Sequence, residues 1–499
     1  MRTRPFSLII VAAVAMLFLA ACGGEAPATP SVVSVEIDGG PVSLVVGAQV
    51  QLTATVTTLG GASAAVLWTS DEGAIAGVDA SGLVVAAAAG ATTIRATSAV
   101  DASKGDAVSV TVESASSAGT RYVTMSASGE HTLAIDEHGS AWAWGRGWNG
   151  QLGTGELAPQ LGDVNRPVKV VQPVEVDRFV AVAAGGYHSL ALDDTGRIWS
   201  WGNNAIGQLG IGVMTPSEPR PLPSMVAMPE GVTSFIAIAA GINHSAALDQ
   251  AGRAWAWGDG ETVGQGSYLG DQPAPVLVAT PVGEPTFNAI TARGGNTFAL
   301  DQNGRAWGWG RNSSDVLGIH PGSTAYTPVP ILMPVDDDGA VIPYAAITGG
   351  GGLVLALDGG GKAWAWGSNL NGELGNGAMA TQSTVPVEVA KDPSVSFVAV
   401  AAGQHHALAL DAEGRAWAWG LATHGELGNG DVDTNRLTPV LVTLPLGVPS
   451  FSGIAAGYHH SLALDGDSAM WAWGRGEQGM RGDGTFEYTQ ALPVPVVAP

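Results

Sequence analysis

A pair of tryptophans recurs seven times along this chain, and the pairs contain fourteen of its 16 tryptophans. The pairs are Trp142/Trp144, Trp199/Trp201, Trp255/Trp257, Trp307/Trp309, Trp364/Trp366, Trp417/Trp419 and Trp471/Trp473. Each follows an aspartate, and successive aspartates (Asp136, Asp193, Asp249, Asp301, Asp358, Asp411 and Asp465) are 52 to 57 residues apart. Such a period indicates that one supersecondary unit is repeated seven times.

Within each unit the hydrophobic pattern has a period of two, which is typical of β-strands. In the second unit, large residues alternate in 189–193 and again in 198–201, and the turn residues 194–196 join the two runs. A third run, such as 179–184, precedes each hairpin, and a fourth, such as 167–171 or 439–442, follows it. Four strands repeated seven times predict an all-β fold, a seven-bladed β-propeller. A β-solenoid or a string of sandwiches is the alternative, but solenoid units are typically shorter than about 50 residues.

The repeat reads Gly-x-x-His-[Ser/Thr]-x-Ala-Leu-Asp-x-x-Gly-Arg-x-Trp-x-Trp-Gly, then Gly-[Gln/Glu]-Leu-Gly-x-Gly, and is nearly complete at 185–212 and 403–430. This pattern resembles the repeat of the regulator of chromosome condensation family and covers residues 121–499. Asn296 and Leu353 replace the histidine in two units. We expect the tryptophans to be structural, packed against Gly and Ala of the next blade. The second tryptophans of the pairs are Trp144, Trp201, Trp257, Trp309, Trp366, Trp419 and Trp473.

The N-terminus predicts export. Arg2 and Arg4 precede an apolar stretch, residues 7–21, that is too short for a comfortable membrane span. It ends in Leu-Ala-Ala-Cys, which resembles the lipobox of bacterial lipoproteins and makes Cys22 the lipid-attachment residue. Residues 1–21 are then a lipoprotein signal peptide. The predicted location is the bacterial membrane, at the outer membrane or cell surface, with the lipid anchor as the only membrane contact. A plain secretory signal is the alternative.

A small β-sandwich is predicted between the anchor and the propeller. Residues 22–30 form a tether, and residues 31–113 contain short alternating strands separated by turn signals. The segments 68–71 and 78–84 resemble the bacterial Ig-like group 2 domain, with Trp68 expected in its core. Residues 114–120 are a Ser/Gly linker, and the propeller occupies 121–499.

Charge and motif content exclude several function classes. The net charge is −23. Nucleic-acid binding requires a cationic surface, and a chain with so few basic residues is not expected to provide one. Nucleophile elbows, Walker loops and zinc-ligand spacings are absent from the sequence. A calcium-like segment at 431–442 carries Arg436 where a calcium loop needs glycine. We therefore expect no enzyme activity and no cofactor.

The repeat histidines are interpreted as structural. His131, His188, His244, His406 and His460 each lie five residues before the repeat aspartate. Equivalent positions on packed sheets are about 10 Å apart, whereas zinc ligands lie about 2 Å from one ion. We expect hydrogen bonds within each blade and no metal site. The adjacent His405 and His459 belong to the opposite face of their strands. The repeat aspartates start the hairpin turns.

Function is expected on the irregular loops that follow each Trp-Gly. Their candidate binding residues are Trp148, Tyr268, His320, Tyr326, His424, Phe486 and Tyr488. Aromatic residues on a polar rim favour a protein–protein binding module, with the Ig-like domain as a spacer and an unidentified envelope or extracellular protein as partner. Binding of a glycan or envelope polymer is the alternative. The family resemblance also implies guanine nucleotide exchange, which the short repeat spacing and the predicted export disfavour.

Overall fold

The computed structural model describes residues 29–38, 40–45, 49–88, 90–113, 120–157, 162–280, 285–312, 314–319, 322–378 and 381–498. These residues form two compact units that separate between residues 113 and 120. No helix in the described ranges is long and apolar enough to span a bilayer. The predicted signal peptide and Cys22 lie outside the described residues, as does most of the predicted tether and linker.

The N-terminal unit is a small β-sandwich of nine strands. The strands are β1 Ser31–Ile37, β2 Val42–Val45, β3 Gln49–Gln51, β4 Ala54–Leu59, β5 Val66–Ser70, β6 Ala76–Val78, β7 Leu83–Ala86, β8 Gly90–Ser98 and β9 Gly105–Glu113. They form three sheets, in the orders β1-β4, β2-β9-β8-β5 and β3-β7-β6. Val35, Ile94 and Val110 are buried in its core, and Trp68 packs against that core as expected.

The C-terminal unit is a propeller of seven blades, and each blade is an antiparallel sheet of four strands paired in chain order. Blades 1 to 4 contain β10 Tyr122–Ser128, β11 His131–Asp136, β12 Ala141–Gly145, β13 Val164–Lys169; β14 Phe179–Ala184, β15 His188–Asp193, β16 Ile198–Gly202, β17 Arg220–Met225; β18 Phe235–Ala240, β19 His244–Asp249, β20 Ala254–Gly258, β21 Gln272–Leu277; and β22 Phe287–Arg293, β23 Asn296–Asp301, β24 Ala306–Arg311, β25 Thr324–Pro330. Blades 5 to 7 contain β26 Tyr344–Gly349, β27 Leu353–Asp358, β28 Ala363–Ser368, β29 Gln382–Glu388; β30 Phe397–Ala402, β31 His406–Asp411, β32 Ala416–Gly420, β33 Arg436–Leu441; and β34 Phe451–Ala456, β35 His460–Asp465, β36 Met470–Arg475, β37 Thr489–Pro495. The predicted seven-bladed, all-β fold is confirmed.

The outermost strands differ from their predicted bounds. In blade 1 the strand begins at Val164, where the sequence pattern placed it at 167, and in blade 6 it begins at Arg436, where the pattern placed it at 439. Each of these strands continues across a break in register opposite the Trp-x-Trp strand, as between Ala143 and Gly145. The bulge allows the polar residues before the apolar run to pair with the neighbouring strand. A search for alternating apolar residues therefore misses the beginning of the strand.

The antiparallel order sorts the connections onto two faces. The turns between the first and second strands of a blade lie at the same end as the long loops between its third and fourth strands. We call this end the loop face. The tight hairpins that carry the repeat aspartates, and the links to the next blade, lie at the opposite end. The first strands surround the axis and line a central cavity of about 260 Å³.

The second tryptophan of each pair joins neighbouring blades, and all seven are fully buried. Trp201 donates its Nε1 hydrogen to the carbonyl of Gln151 in blade 1, at 2.8 Å, and it packs beside Gly153 of the same loop. Trp473 makes the matching bond to Glu426, also at 2.8 Å. The tryptophans therefore pack on the loop of the preceding blade, and the prediction that they pack on the next blade was wrong in direction.

Blade 7 closes the ring against blade 1. The amide of Tyr122 donates to the carbonyl of Ser468 at 2.9 Å, and Trp144 Nε1 donates to the carbonyl of Met480 at 3.0 Å. Across the described propeller every blade takes its four strands from one continuous segment. Side chains and turn contacts therefore close the ring, without exchange of a strand.

Candidate functional site

The repeat aspartates hold the hairpins and the first tryptophan of each pair. Asp193 Oδ1 accepts hydrogen bonds from the amides of Thr195 and Arg197, at 2.9 and 3.0 Å, and Oδ2 accepts from Trp199 Nε1 at 3.0 Å. Burial raises the pKa of Asp193, but the hydrogen bonds from Thr195, Trp199 and Arg197 outweigh it and lower the pKa overall. All seven aspartates bond their tryptophan in this way. This geometry supports a turn role, as expected.

The repeat histidines bridge neighbouring blades. His188 Nε2 lies 2.8 Å from Ser245 Oγ in the next blade, and His406 Nε2 lies 2.9 Å from Ser461 Oγ. The same contact joins His131 to Ser189, His244 to Thr297 and His460 to Thr132. The prediction of hydrogen bonds within each blade was wrong, because these side chains point across the blade interface. Each ring is fully buried, so none is available to a ligand.

In the two blades that lack the histidine, the following blade also lacks the hydroxyl group that would accept the histidine's hydrogen bond. Leu353 occupies the histidine position of blade 5, and Ala407 stands where the next blade would present Ser or Thr. Asn296 of blade 4 likewise faces a position occupied by Val354. Donor and acceptor therefore change together, which is the pattern expected of a buried polar pair.

The loop face presents exposed aromatic side chains in the long loops of blades 1, 3 and 7, and at Tyr187 in the first turn of blade 2. The exposed fractions are 56% for Trp148, 57% for Tyr268, 50% for Phe486 and 53% for Tyr488. Tyr326 differs from its prediction as a loop residue, because it is half-buried within β25, and its carbonyl accepts the amide of Gly266. His320 lies outside the described residues.

Two histidines and a glutamate converge on the same face, between the loops of blades 6 and 7. His424 Nδ1 lies 2.8 Å from Glu426 Oε1, and His459 Nδ1 lies 3.7 Å from the same oxygen. His424 Nε2 contacts the exposed hydroxyl of Tyr488 at 3.0 Å. Burial raises the pKa of Glu426, but polar contacts with His459 and the His424 amide outweigh it, and the pKa is lowered. The carboxylate form is therefore favoured next to two imidazoles.

A second glutamate–histidine contact lies one blade earlier. His405 Nδ1 is 3.4 Å from Glu373 Oε1, and the His405 and His459 ring centres are 6.3 Å apart. Sequence reasoning placed His405 and His459 on the face opposite the structural histidines but did not consider either glutamate. The available signal was the change from Gln to Glu in Gly-[Gln/Glu]-Leu-Gly, which occurs only in the two units that precede these histidines.

A buried arginine lies where the central cavity meets the loop face. Arg293 lines that cavity and takes the position that is glycine in most other units, such as Gly185. Its Nη1 donates to the carbonyl of Ala127 at 2.9 Å, and its guanidinium lies 5.4 Å from the Tyr458 ring centre. Nε and Nη2 have no hydrogen-bond partner among the described residues. Burial lowers the pKa of Arg293 to about 10, so the side chain remains charged at neutral pH.

Family models match both units. The RCC1-like domain matches residues 90–453, the bacterial Ig-like domain (group 2) matches residues 31–112, and a regulator of chromosome condensation (RCC1) repeat matches residues 451–479. The first two overlap over β8 and most of β9, which pair with each other in the N-terminal sandwich. The Ig-like match therefore describes those strands better.

Known relatives of the propeller include proteins of plants and yeast. The chain is 28% identical to the RCC1 domain-containing protein RUG3, mitochondrial, of Arabidopsis thaliana, over 71% of this chain and 81% of that protein. It is 29% identical to the ultraviolet-B receptor UVR8 of the same plant, over 64% of this chain and 69% of the receptor. The crystal structure of Prp20p from Saccharomyces cerevisiae matches with a TM-score of 0.61 and 25% identity, over 76% of this chain and 87% of that one.

Proposed function

Because this chain belongs to the RCC1-like family, whose domain model spans residues 90–453, we propose that it is a binding protein whose loop face docks a protein partner. The relative Prp20p supports this proposal, since its structure was determined together with its binding properties toward Gsp1p and histones. We infer that the partner of this chain is a different protein, because the predicted export would place the chain in an envelope or extracellular setting.

The exposed aromatics of the loop face carry the proposal. Trp148, Tyr268, Phe486 and Tyr488 are each half or more exposed, although large aromatics usually bury their area. They occupy unrelated positions in loops of different length. A polymer with repeating units would favour one aromatic position repeated from blade to blade. An irregular set favours one partner of complementary shape, with aromatic anchors inside a polar rim.

The setting completes the proposal. We infer that Cys22 is lipidated after export, so that the protein is held at the bacterial membrane or cell surface by its anchor. The Ig-like unit then acts as a spacer that carries the propeller away from the lipid. Guanine nucleotide exchange is not proposed, because a small GTPase substrate would be cytoplasmic.

A site-specific crosslinking experiment tests the docking face. A photoreactive amino acid replaces Phe486 or Trp148 in the full chain expressed in its native cells, and crosslinked products are identified by mass spectrometry. The matched control replaces Val174 or Leu446, which are 97% and 68% exposed on the opposite face. We expect one discrete protein product from the loop-face positions only.

A variant of the same chain provides the second arm. Changing Trp148, Tyr268, Phe486 and Tyr488 to Ala should abolish capture of that partner, whereas changing Val174 and Leu446 to Ala should not. Equal capture of the partner by the loop-face variant and the opposite-face variant would contradict the proposal. Retention of purified envelope glycan by the wild type, without any protein crosslink, would favour the polymer-binding alternative.

A further inference from the structure

We propose that His424, Glu426 and His459 bind one divalent transition-metal ion, of which Zn²⁺ is the best fit, on the loop face between blades 6 and 7. One ligand atom from each residue lies within 4.8 Å of the other two. Two imidazole nitrogens and one carboxylate oxygen form a ligand set that suits zinc with an open coordination position.

The distances are close to those of a metal site. Zinc–nitrogen and zinc–oxygen bonds of about 2.1 Å in a tetrahedral arrangement place ligand atoms about 3.4 Å apart. The observed separations from Glu426 Oε1 are 2.8 Å to His424 Nδ1 and 3.7 Å to His459 Nδ1. These two separations lie on either side of the tetrahedral value, and the remaining nitrogen–nitrogen separation is within 4.8 Å.

The surrounding contacts favour coordination over a simple ion pair. His459 Nδ1 is buried and makes no hydrogen bond in the described part of the chain. His424 presents its other nitrogen, Nε2, to the Tyr488 hydroxyl at 3.0 Å, which orients the ring with Nδ1 toward Glu426. A hydrogen bond on the second ring nitrogen is the usual support for a metal-bound histidine.

Repeat register shows that the cluster is not required by the fold. At the position of Glu426, blades 1 and 2 carry Gln151 and Gln208. Their side-chain oxygens accept a hydrogen bond from the loop amide two residues earlier, as the Glu426 carboxylate does. At the position of His459, blade 3 carries Asn243, and at that of His424, blade 1 carries Asn149. Ordinary blades build the same loops without these three ligands, so their convergence requires a separate explanation.

The ligand chemistry selects the class of metal. Imidazole ligands suit zinc, copper, nickel and cobalt, whereas calcium and magnesium prefer six or more oxygen ligands. His424 and His459 are both partly exposed, so the fourth coordination position faces the loop surface. Water or a side chain of a docked molecule can occupy it. His405 lies beside His459, with the two ring centres 6.3 Å apart.

Calorimetric titration of the metal-stripped full chain with zinc chloride tests the proposal, and the visible spectrum of added Co²⁺ reports a tetrahedral site. The variants are His424→Asn, Glu426→Gln and His459→Asn, each of which installs a residue that another blade uses at that position. His138→Asn is the control, since that histidine is highly exposed in the blade 1 hairpin on the opposite face. Thermal melts verify that every variant folds.

The wild type and His138→Asn should bind one Zn²⁺ per chain, with millimolar Ca²⁺ unable to compete. Each ligand variant should weaken binding by more than about 100-fold, and Tyr488→Phe by about 10-fold. Absence of a saturable site in the wild type would overturn the proposal, as would unchanged affinity in folded Glu426→Gln and His459→Asn. The test does not depend on the protein partner, so it stands whether or not the docking proposal holds.

Discussion

His188 Nε2 and Ser245 Oγ, from consecutive blades, lie 2.8 Å apart in a fully buried interface. Ser245 Oγ also lies 2.8 Å from the carbonyl of Gln208, and a carbonyl can only accept. The single serine proton is therefore donated there, and the serine oxygen accepts from His188. The His188 ring therefore carries a hydrogen on Nε2, and burial, which lowers its pKa to about 3, keeps the ring neutral at pH 7. The same relay from histidine through a hydroxyl to a loop carbonyl recurs at His131, His406 and His460.

Breaking one relay should cost more than replacing it completely. Ser245→Ala leaves the buried His188 N–H unpaired, with an expected loss of about 1 to 3 kcal/mol in the free energy of unfolding. The double variant His188→Leu/Ser245→Ala installs the pair that Leu353 and Ala407 already form, so it should be less destabilised than the single variant. Urea denaturation followed by tryptophan fluorescence measures both. Additive losses would contradict this coupling.

The buried rings should also make stability depend on pH. Burial lowers the pKa of His131 and His188 to about 3, and that of His244 and His406 to about 4. An unfolded histidine has a pKa of about 6.5, so between these values the unfolded chain binds more protons. The free energy of unfolding should therefore be greatest above about pH 6.5 and fall by about 1.4 kcal/mol per pH unit for each buried histidine as the pH decreases.

The double variant His188→Leu/Ser245→Ala supplies the control for this pH dependence. It lacks one buried imidazole, so its unfolding free energy should decline with a slope smaller by one proton between about pH 6 and pH 4.5. Denaturation midpoints in a series of buffers measure the slope. Parallel curves for the two proteins would show that His188 titrates alike in the folded and unfolded chains.

The fold was predictable because its signals are local and repeated. Alternating large residues, such as Leu190 and Leu192, identify a strand directly, and the sevenfold repetition of a four-strand unit selects the propeller. The partner of His188 was not predictable from one unit. Ser245 lies in the next repeat, and only the packing of consecutive blades against each other brings the two side chains together.

The candidate metal site illustrates a different limit. His459 and Glu426 belong to different blades, and each departs from what most other repeats carry at its position, since only one other blade has a histidine (His405) or a glutamate (Glu373) there. Comparison of the repeats column by column would have identified both departures. Their contact requires the additional knowledge that the loop of one blade lies against the first turn of the next. The exposure of Trp148 and the half-buried position of Tyr326 in β25 likewise depend on the lengths and conformations of the long loops. These loops have no repeating sequence pattern.

Glycines beside the buried tryptophans should tolerate no side chain. Gly210 has a φ of +69°, and a Cβ there would lie 2.6 Å from Trp257 Nε1. Gly212 has a similar φ of +87°, but no atom lies within 4 Å of its Cβ position. Gly212→Ala should therefore cost about 1 to 2 kcal/mol for backbone strain alone, and Gly210→Ala about 1 to 3 kcal/mol more because of overpacking.

The two alanine variants are compared by their urea midpoints under identical conditions. Their difference isolates the contact with Trp257, because both carry the same conformational penalty. Equal midpoints would mean that the loop of blade 2 shifts freely against blade 3, and that the tryptophan contact does not fix the blade interface.

Two buried arginines should respond in opposite ways to replacement by methionine. Arg481 pairs with Asp483 at 2.8 Å and also bonds the carbonyls of Gly474 and Glu487. Arg481→Met would leave the mostly buried Asp483 carboxylate without its partner, at a cost of about 3 to 5 kcal/mol. Arg293 has no carboxylate partner in the described ranges and leaves two donor nitrogens unpaired. Arg293→Met should therefore be neutral within about 1 kcal/mol, or stabilising.

Tryptophan fluorescence is suited to this comparison, because all but one of the 16 tryptophans lie in the propeller. Urea unfolding of the full chain should give a midpoint for Arg293→Met that equals or exceeds that of the wild type, and a clearly lower one for Arg481→Met. A large loss of stability in Arg293→Met would mean that its bond to Ala127 and its contact with Tyr458 outweigh the cost of burying the charge. In that case the arginine would stabilise the propeller by linking blade 4 to blades 1 and 7 across the central cavity.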